Sequence, residues 1–96
     1  MPFTIFWTTE AQQSYLAILE YLKEKWTERE IKSFMQRTDD VLAFIKENPS
    51  IYQRVKPHTF KAVLNKQVTL YYRLDESVVT LHYFWDTRQD PDKLNL

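Results

Sequence analysis

The 96-residue chain is 44% hydrophobic and 16% aromatic and carries no formal net charge, which predicts one small domain over residues 1–96 and excludes a disordered chain. It contains no glycine and no cysteine, so glycine-rich phosphate loops, disulfides and thiolate chemistry are excluded. No apolar run is long enough to span a bilayer and the N-terminus is too short and uncharged for a signal peptide, so we expect a cytoplasmic protein without a membrane partner.

A short strand and a helix are predicted at the N-terminus. Phe3, Ile5 and Trp7 occupy alternate positions, which is typical of a strand. Thr9 and Gln12 have the spacing of a capping box, which predicts that a helix begins there. Over residues 10–26, apolar side chains then recur at helical spacing: Ala11, Tyr15, Ile18, Leu22 and Trp26.

A second helix follows almost at once. Thr27 and Glu30 form a second capping-box pattern, and Asn48-Pro49 ends the helix because proline disfavours helical geometry in the residue before it. Its apolar stripe comprises Ile31, Phe34, Thr38, Val41, Leu42 and Ile45. The short join predicts an antiparallel helical hairpin.

The C-terminal half predicts an antiparallel sheet. Residues 49–58 have no clear period and indicate an irregular connection, and strand-like runs follow at 59–64, 68–74 and 78–85. We therefore predict an α+β fold, in which an N-terminal strand and an α-helical hairpin precede a small, mainly antiparallel sheet (β-α-α-β-β-β) and the hairpin packs on one face of that sheet.

The strand registers follow from the turns. A turn at Glu76-Ser77 sets Leu74 opposite Val79, and a three-residue loop at 65–67 keeps Lys61 off the core face. The predicted core face is then Phe60, Ala62, Leu64, Val68, Leu70, Tyr72, Leu74, Val79, Leu81, Tyr83 and Trp85.

Residues able to do chemistry are predicted on the opposite face. Lys61, Tyr71 and His82 form one row across three strands, spanning about 10 Å. The flanking rows are Thr59, Arg73 and Thr80 on one side, and Val63, Thr69 and Phe84 on the other. Asp86 continues the His82 face, and Arg88 follows just beyond the strand.

The zero net charge hides a basic stretch. Residues 48–74 contain no Asp or Glu but include Arg54, Lys56, Lys61, Lys66 and Arg73. Such a stretch favours a local anion-binding face; the alternative is a solvated surface that is basic by chance.

These residues suit phosphodiester cleavage without a metal. His82 can act as base or acid, Tyr71 can share that role or stack on a base, and cations can stabilise phosphate charge: Lys61, Arg73 and Arg88. The alternative is structural: His82 satisfied in a strand, and Tyr71 packed against Phe84. No carboxylate and histidine cluster has the spacing of metal ligands, so no metal or cofactor is expected.

The chain resembles the RelE/ParE toxin superfamily of bacterial type II toxin–antitoxin systems. The resemblance covers nearly the whole chain and rests on the order and spacing of Trp7, Ala11, Tyr21, Trp26, Phe34, Asn48-Pro49, residues 70–74 (LYYRL) and residues 84–91 (FWDTRQDP). It implies an intracellular toxin, associated with plasmid stabilization, that is neutralised by a cognate antitoxin. Candidate antitoxin contacts are Phe6, Phe84 and the 49–58 segment.

The superfamily implies two targets. RelE-like members cut mRNA in the ribosomal A site, whereas ParE-like members inhibit DNA gyrase. Lys61 and Arg88 fall where ribonuclease members carry basic residues. Two positions depart from the ribonuclease pattern. Thr69 stands where a central-strand Arg is common, and residues 89–96 lack the aromatic residue or His that usually acts as the acid. We expect translation inhibition by an mRNA endoribonuclease; the alternatives are a non-enzymatic gyrase inhibitor and a degenerate module that only binds its antitoxin.

Overall fold

The computed structural model describes residues 3–88, and within them two helices pack on one face of a five-stranded sheet. The elements are β1 (Thr4–Trp7), α1 (Thr9–Lys25), α2 (Glu28–Glu47), β2 (Gln53–Lys56), β3 (Thr59–Val63), β4 (Val68–Asp75) and β5 (Val78–Asp86). The strand order is β1-β5-β4-β3-β2; β1 runs parallel to β5, and the other neighbours are antiparallel. The predicted α+β architecture is confirmed.

Both helices begin at side-chain caps. Thr27 and Glu30 form the predicted capping box of α2. For α1, the prediction of Thr9 as the cap is wrong by one residue. The cap is Thr8, whose Oγ1 accepts from the amide of Ala11 (3.0 Å) and donates to the carbonyl of Leu81 in β5 (2.6 Å). The bond to Leu81 favours Thr8 over Thr9 as the cap, because it fixes the start of the helix against the sheet.

The core lies between the sheet and the predicted helical stripes. Buried helix residues are Ala11, Ile18, Leu22, Phe34, Thr38, Val41 and Ile45, and the sheet contributes Phe60, Ala62, Leu64, Val68, Leu70, Tyr72, Val79, Leu81 and Phe84. The hydroxyl of Tyr72 donates to the carbonyl of Pro49 (2.6 Å), which fixes the end of the helical hairpin to the central strand.

A β-bulge changes the predicted register in the middle of β5. Tyr72 pairs with Leu81 as expected, but Tyr71 pairs with Tyr83, so His82 is the extra residue. Beyond a bulge every following side chain changes face. The prediction that Tyr83 and Trp85 belong to the core is therefore wrong, and Phe84, 2% exposed, takes that place.

The segment predicted as irregular contains strand β2, which pairs with β3 at the edge of the sheet. The sequence QRVK shows no strong hydrophobic alternation because this edge strand buries little of its surface. Its pairing also shifts register between Arg54 and Lys56, which shortens the regular ladder.

The two predicted hairpin connections are confirmed. Asp75 pairs with Val78 around the Glu76-Ser77 turn, where Glu76 adopts the left-handed region with φ 50°. In the β3–β4 loop, the side-chain oxygen of Asn65 accepts from the amides of Gln67 and Val68, each at 2.8 Å. Neither helix in the described range is long and apolar enough to cross a bilayer.

Candidate functional site

The sheet face opposite the helices, here called the open face, carries three cross-strand rows from β3, β4 and β5. The middle row is Lys61, Tyr71 and Tyr83; the flanking rows are Thr59, Arg73 and Thr80, and Val63, Thr69 and Trp85. Directly paired residues share a face. Four of the predicted site residues, Lys61, Tyr71, Arg73 and His82, lie on or beside this surface.

The predicted row of Lys61, Tyr71 and His82 needs one correction. The pair Lys61–Tyr71 is confirmed, but Tyr83 occupies the third position because His82 is the bulged residue. The imidazole lies beside the Tyr83 ring, with ring centroids 6.3 Å apart and planes inclined by 28°. The bulge therefore adds a second aromatic hydroxyl to the row and keeps His82 next to it.

The surroundings of His82 favour its neutral form. Burial lowers the pKa of its imidazole, and the positive charge of Arg73 lowers it further, while Glu10 acts in the opposite direction. A neutral imidazole at neutral pH has a nitrogen able to accept a proton. His82 therefore suits a general base better than a general acid at that pH.

The three rows carry two cationic side chains with different surroundings. Arg73 donates from Nε to the Asp75 carboxylate at 2.7 Å, and both side chains are about half exposed, so this pair contributes little stability. Lys61 is partly buried, and its side chain forms no hydrogen bond or ion pair with another residue in 3–88. Its ammonium is therefore available to a bound anion.

The basic stretch does not form one anion-binding face. The guanidinium carbon of Arg54 lies 5.7 Å from the ring centroid of Phe60, a core residue on the helix side of the sheet. Lys66 lies in the β3–β4 loop. Lys61 and Arg73 belong to the three rows, and Lys56 in β2 pairs directly with Thr59 on the same face.

Arg88 lies in a separate cluster at the end of β5. It donates to both carboxylate oxygens of Asp86 and to the hydroxyl of Tyr21 in α1, with its guanidinium carbon 4.0 Å from the Tyr21 ring centroid. Hydrogen bonds from Arg88 lower the pKa of Asp86, and Asp86 in turn raises the pKa of Arg88. The predicted phosphate-binding cation is thus held by α1, away from the open face.

The predicted face of Asp86 is wrong for the same reason as that of Phe84. After the bulge, Asp86 pairs with the buried Val68 and lines a small groove of α1 together with Ser14 and Tyr21. The groove explains why Arg88 turns toward α1: its carboxylate partner already lies there.

Sequence reasoning missed Tyr83 and Trp85 as open-face residues. A signal was present in the run His82-Tyr83-Phe84-Trp85, because Phe has no polar atom and suits full burial, whereas Tyr and Trp prefer partial exposure. Among the candidate antitoxin contacts, Phe6 is 57% exposed at the edge strand, but Phe84 is buried and unavailable to a partner.

Comparison with known proteins finds similarity in structure only. No protein-family model matches the sequence, and no curated protein matches it. A chain of the chromosomal ParDE TA system from P. aeruginosa superposes with a TM-score of 0.71 at 11% identity, covering 88% of this chain and 95% of that one.

Two further structures give the same result. The YoeB dimer from Staphylococcus aureus has a TM-score of 0.61 at 12% identity, covering 88% of this chain and 97% of its own. The toxin–antitoxin complex RelBE2 from Mycobacterium tuberculosis has a TM-score of 0.56 at 18% identity, with coverages of 90% and 99%. The resemblance inferred from the sequence is therefore confirmed in fold: the chain has the RelE/ParE fold.

Proposed function

We propose that the chain is the toxin of a type II toxin–antitoxin module, and that it inhibits translation by metal-independent cleavage of mRNA on the ribosome. The RelE/ParE fold supports the toxin assignment, since the similar structures include a toxin–antitoxin complex. A cognate antitoxin is then the partner that keeps the toxin inactive in the cytoplasm. The open face supports the ribonuclease assignment.

One observation carries the ribonuclease proposal: a proton acceptor, a phenol and an ammonium lie together on a sheet face that the helices leave uncovered, and within residues 3–88 the ammonium has no partner. Lys61 and Tyr71 are direct cross-strand partners, and His82 flanks the Tyr83 that pairs with Tyr71. Adjacent strands lie about 4.8 Å apart, so the set spans about one nucleotide.

The chemistry follows from these side chains. The neutral imidazole of His82 removes the proton of the ribose 2′-hydroxyl, whose oxygen attacks the adjacent phosphorus. The bond from phosphorus to the 5′-oxygen breaks, and that oxygen takes the proton of the Tyr71 hydroxyl. Lys61 stabilises the charge that grows on the phosphate, and Arg73 neutralises a neighbouring phosphate. The products are a 2′,3′-cyclic phosphate and a 5′-hydroxyl end.

Arg88 has a different place in this scheme. Its guanidinium is already hydrogen-bonded to Asp86 and Tyr21, so we give it no step in bond cleavage. It can contact RNA phosphates outside the reacting nucleotide, since about two fifths of its side chain stays exposed.

The test is cleavage of a defined mRNA on purified ribosomes, with the new ends mapped by primer extension. We expect the purified protein to cut, and Lys61→Ala and His82→Ala to lose at least about 100-fold in rate, the lower range of a charge-stabilising contribution for Lys61 and of an acid–base contribution for His82. Lys66→Ala, which removes an exposed cation outside the open face, is the matched control and should cut normally. Full cleavage by both site variants, with folding verified by circular dichroism, would exclude the proposed site.

Inhibition of DNA gyrase is the second candidate, and the distribution of cations favours it. In residues 3–88, Arg88 is held against α1, and Thr69, at the central-strand position where ribonuclease members often carry Arg, supplies no charge. A gyrase inhibitor would block supercoiling by purified gyrase, and Lys61→Ala would leave that block intact. A chain that only binds its antitoxin would do neither and would be harmless when expressed alone.

A further inference from the structure

We infer that Tyr83 and Trp85 form a stacking platform that binds two successive bases of single-stranded RNA. This inference rests on the proposed ribonuclease function and extends it to substrate recognition. Both residues reach the open face only because His82 is bulged. A regular β5 would bury them and leave Phe84 outside.

The geometry suits an extended strand of RNA. Tyr83 and Trp85 are two residues apart on the same face of β5, which separates their attachment points by about 7 Å along the strand. Tyr83 belongs to the row of Lys61 and Tyr71, and Trp85 to the next row. A base on Tyr83 would thus lie beside the reacting groups, with its neighbour on Trp85.

The two side chains are available to a ligand. Both are only partly buried. Within residues 3–88, the Tyr83 hydroxyl and the Trp85 indole nitrogen have no hydrogen-bond partner, and the only aromatic neighbour of either ring is His82, beside Tyr83. Buried tyrosine and tryptophan usually satisfy their polar atoms. Partly exposed rings with unused donors therefore indicate a binding surface more than a packing role.

The charges beside the platform favour a polyanion. Lys61 and Arg73 lie on the same face. Asp75 is the only carboxylate that the described strands place on it, where it is already paired with Arg73, and Glu10 of α1 acts on the neighbouring His82. Stacking on aromatic side chains next to cations is how sheet surfaces bind single-stranded nucleic acid. An acidic protein segment is the alternative occupant, and the test separates the two.

The probe is a short 5′-fluorescein RNA with 2′-O-methyl groups, which binds but cannot be cut because its 2′-oxygen carries no proton. Its fluorescence anisotropy is measured with the purified full chain. We expect Tyr83→Ala and Trp85→Ala each to weaken binding by about 5- to 150-fold, the range of one lost base stack. Tyr83→Phe and Trp85→Phe keep a ring and should bind within about threefold of the wild type.

Phe44→Ala is the matched control, since Phe44 is an exposed aromatic residue of α2, which packs on the opposite face of the sheet. Its RNA affinity should not change. Wild-type affinity in Tyr83→Ala and Trp85→Ala, or an equal loss in Phe44→Ala, would overturn the inference. So would weaker antitoxin binding with unchanged RNA binding, which would make the platform a protein contact.

Failure of the platform and failure of the ribonuclease proposal give different results. If Lys61→Ala abolishes cleavage on ribosomes while Tyr83→Ala and Trp85→Ala bind and cut like the wild type, only the platform is wrong. If the wild type cuts no mRNA on ribosomes, the ribonuclease proposal is wrong, whatever the RNA affinity.

Discussion

The bulge at His82 makes a quantitative prediction about three consecutive aromatic residues. Phe84 is 2% exposed and stacks on Trp7, with ring centroids 5.3 Å apart. Replacing it by alanine removes a core side chain, which costs about 3–5 kcal/mol of unfolding free energy. For a domain of this size, the melting temperature should fall by at least about 12 °C.

The flanking positions are the controls. Tyr83 and Trp85 lie on the open face, so alanine there removes mainly a cross-strand side-chain pair, which contributes about 0.2–1 kcal/mol. Urea unfolding of the three variants, followed by circular dichroism at low temperature, measures the order directly. Larger losses in Tyr83→Ala and Trp85→Ala than in Phe84→Ala would mean that β5 is regular, and the open-face assignment would be wrong.

Three other predictions test the fold and the site. Tyr72→Phe leaves the buried Pro49 carbonyl without its donor and should cost about 1–3 kcal/mol in urea unfolding; unchanged stability would contradict that bond. Glu76→Gly should stabilise by about 0.5–1 kcal/mol, because glycine tolerates φ 50°, while Ser77→Gly should not; calorimetry distinguishes the two. The folded-state pKa of His82 is lowered, so the unfolded chain binds more protons. The contribution of His82 to stability is therefore complete above about pH 6.5 and is lost as the pH falls through the folded-state pKa. His82→Gln should reduce this pH dependence when the melting temperature is measured at several pH values. A variant whose pH profile matched that of the wild type would refute the prediction.

Local sequence patterns predicted much of the fold. The stripes of both helices, the cap at Thr27, the end at Pro49 and the pairing of Tyr72 with Leu81 all depend on patterns within a few residues. Such patterns are strong because one face of each element must be buried. The helical hairpin and most of the sheet core followed from them.

The errors arose where a distant contact decided the local structure. Thr8 instead of Thr9 caps α1 because it also bonds to Leu81, more than seventy residues away. The bulge at His82 separates two stretches that each alternate well, so a regular alternation of Leu81, Tyr83 and Trp85 fits the sequence equally well. Strand β2 was not predicted because its residues are mostly exposed, so its sequence shows no alternation of apolar and polar residues.

The site was predicted less completely than the fold. Lys61 and Tyr71 were paired correctly, because their register depends on the loop between β3 and β4. Tyr83 and Trp85 were not placed on the open face, because a single bulge exchanges the faces of the residues after it. The turn of Arg88 toward Tyr21 depends on Asp86 having changed face, so it too follows from the bulge.

The central claim is that the chain is a toxin that acts on translation. Pulse-labelling of protein and DNA synthesis in bacteria, within minutes of inducing the chain without an antitoxin, tests it most directly. We predict an immediate halt in protein synthesis while DNA synthesis continues, and normal labelling of both when Lys61→Ala is induced to the same level. An initial loss of DNA synthesis with a DNA-damage response would contradict the ribonuclease account and favour gyrase as the target. Continued labelling of both by cells making the wild-type chain would contradict the toxin assignment itself.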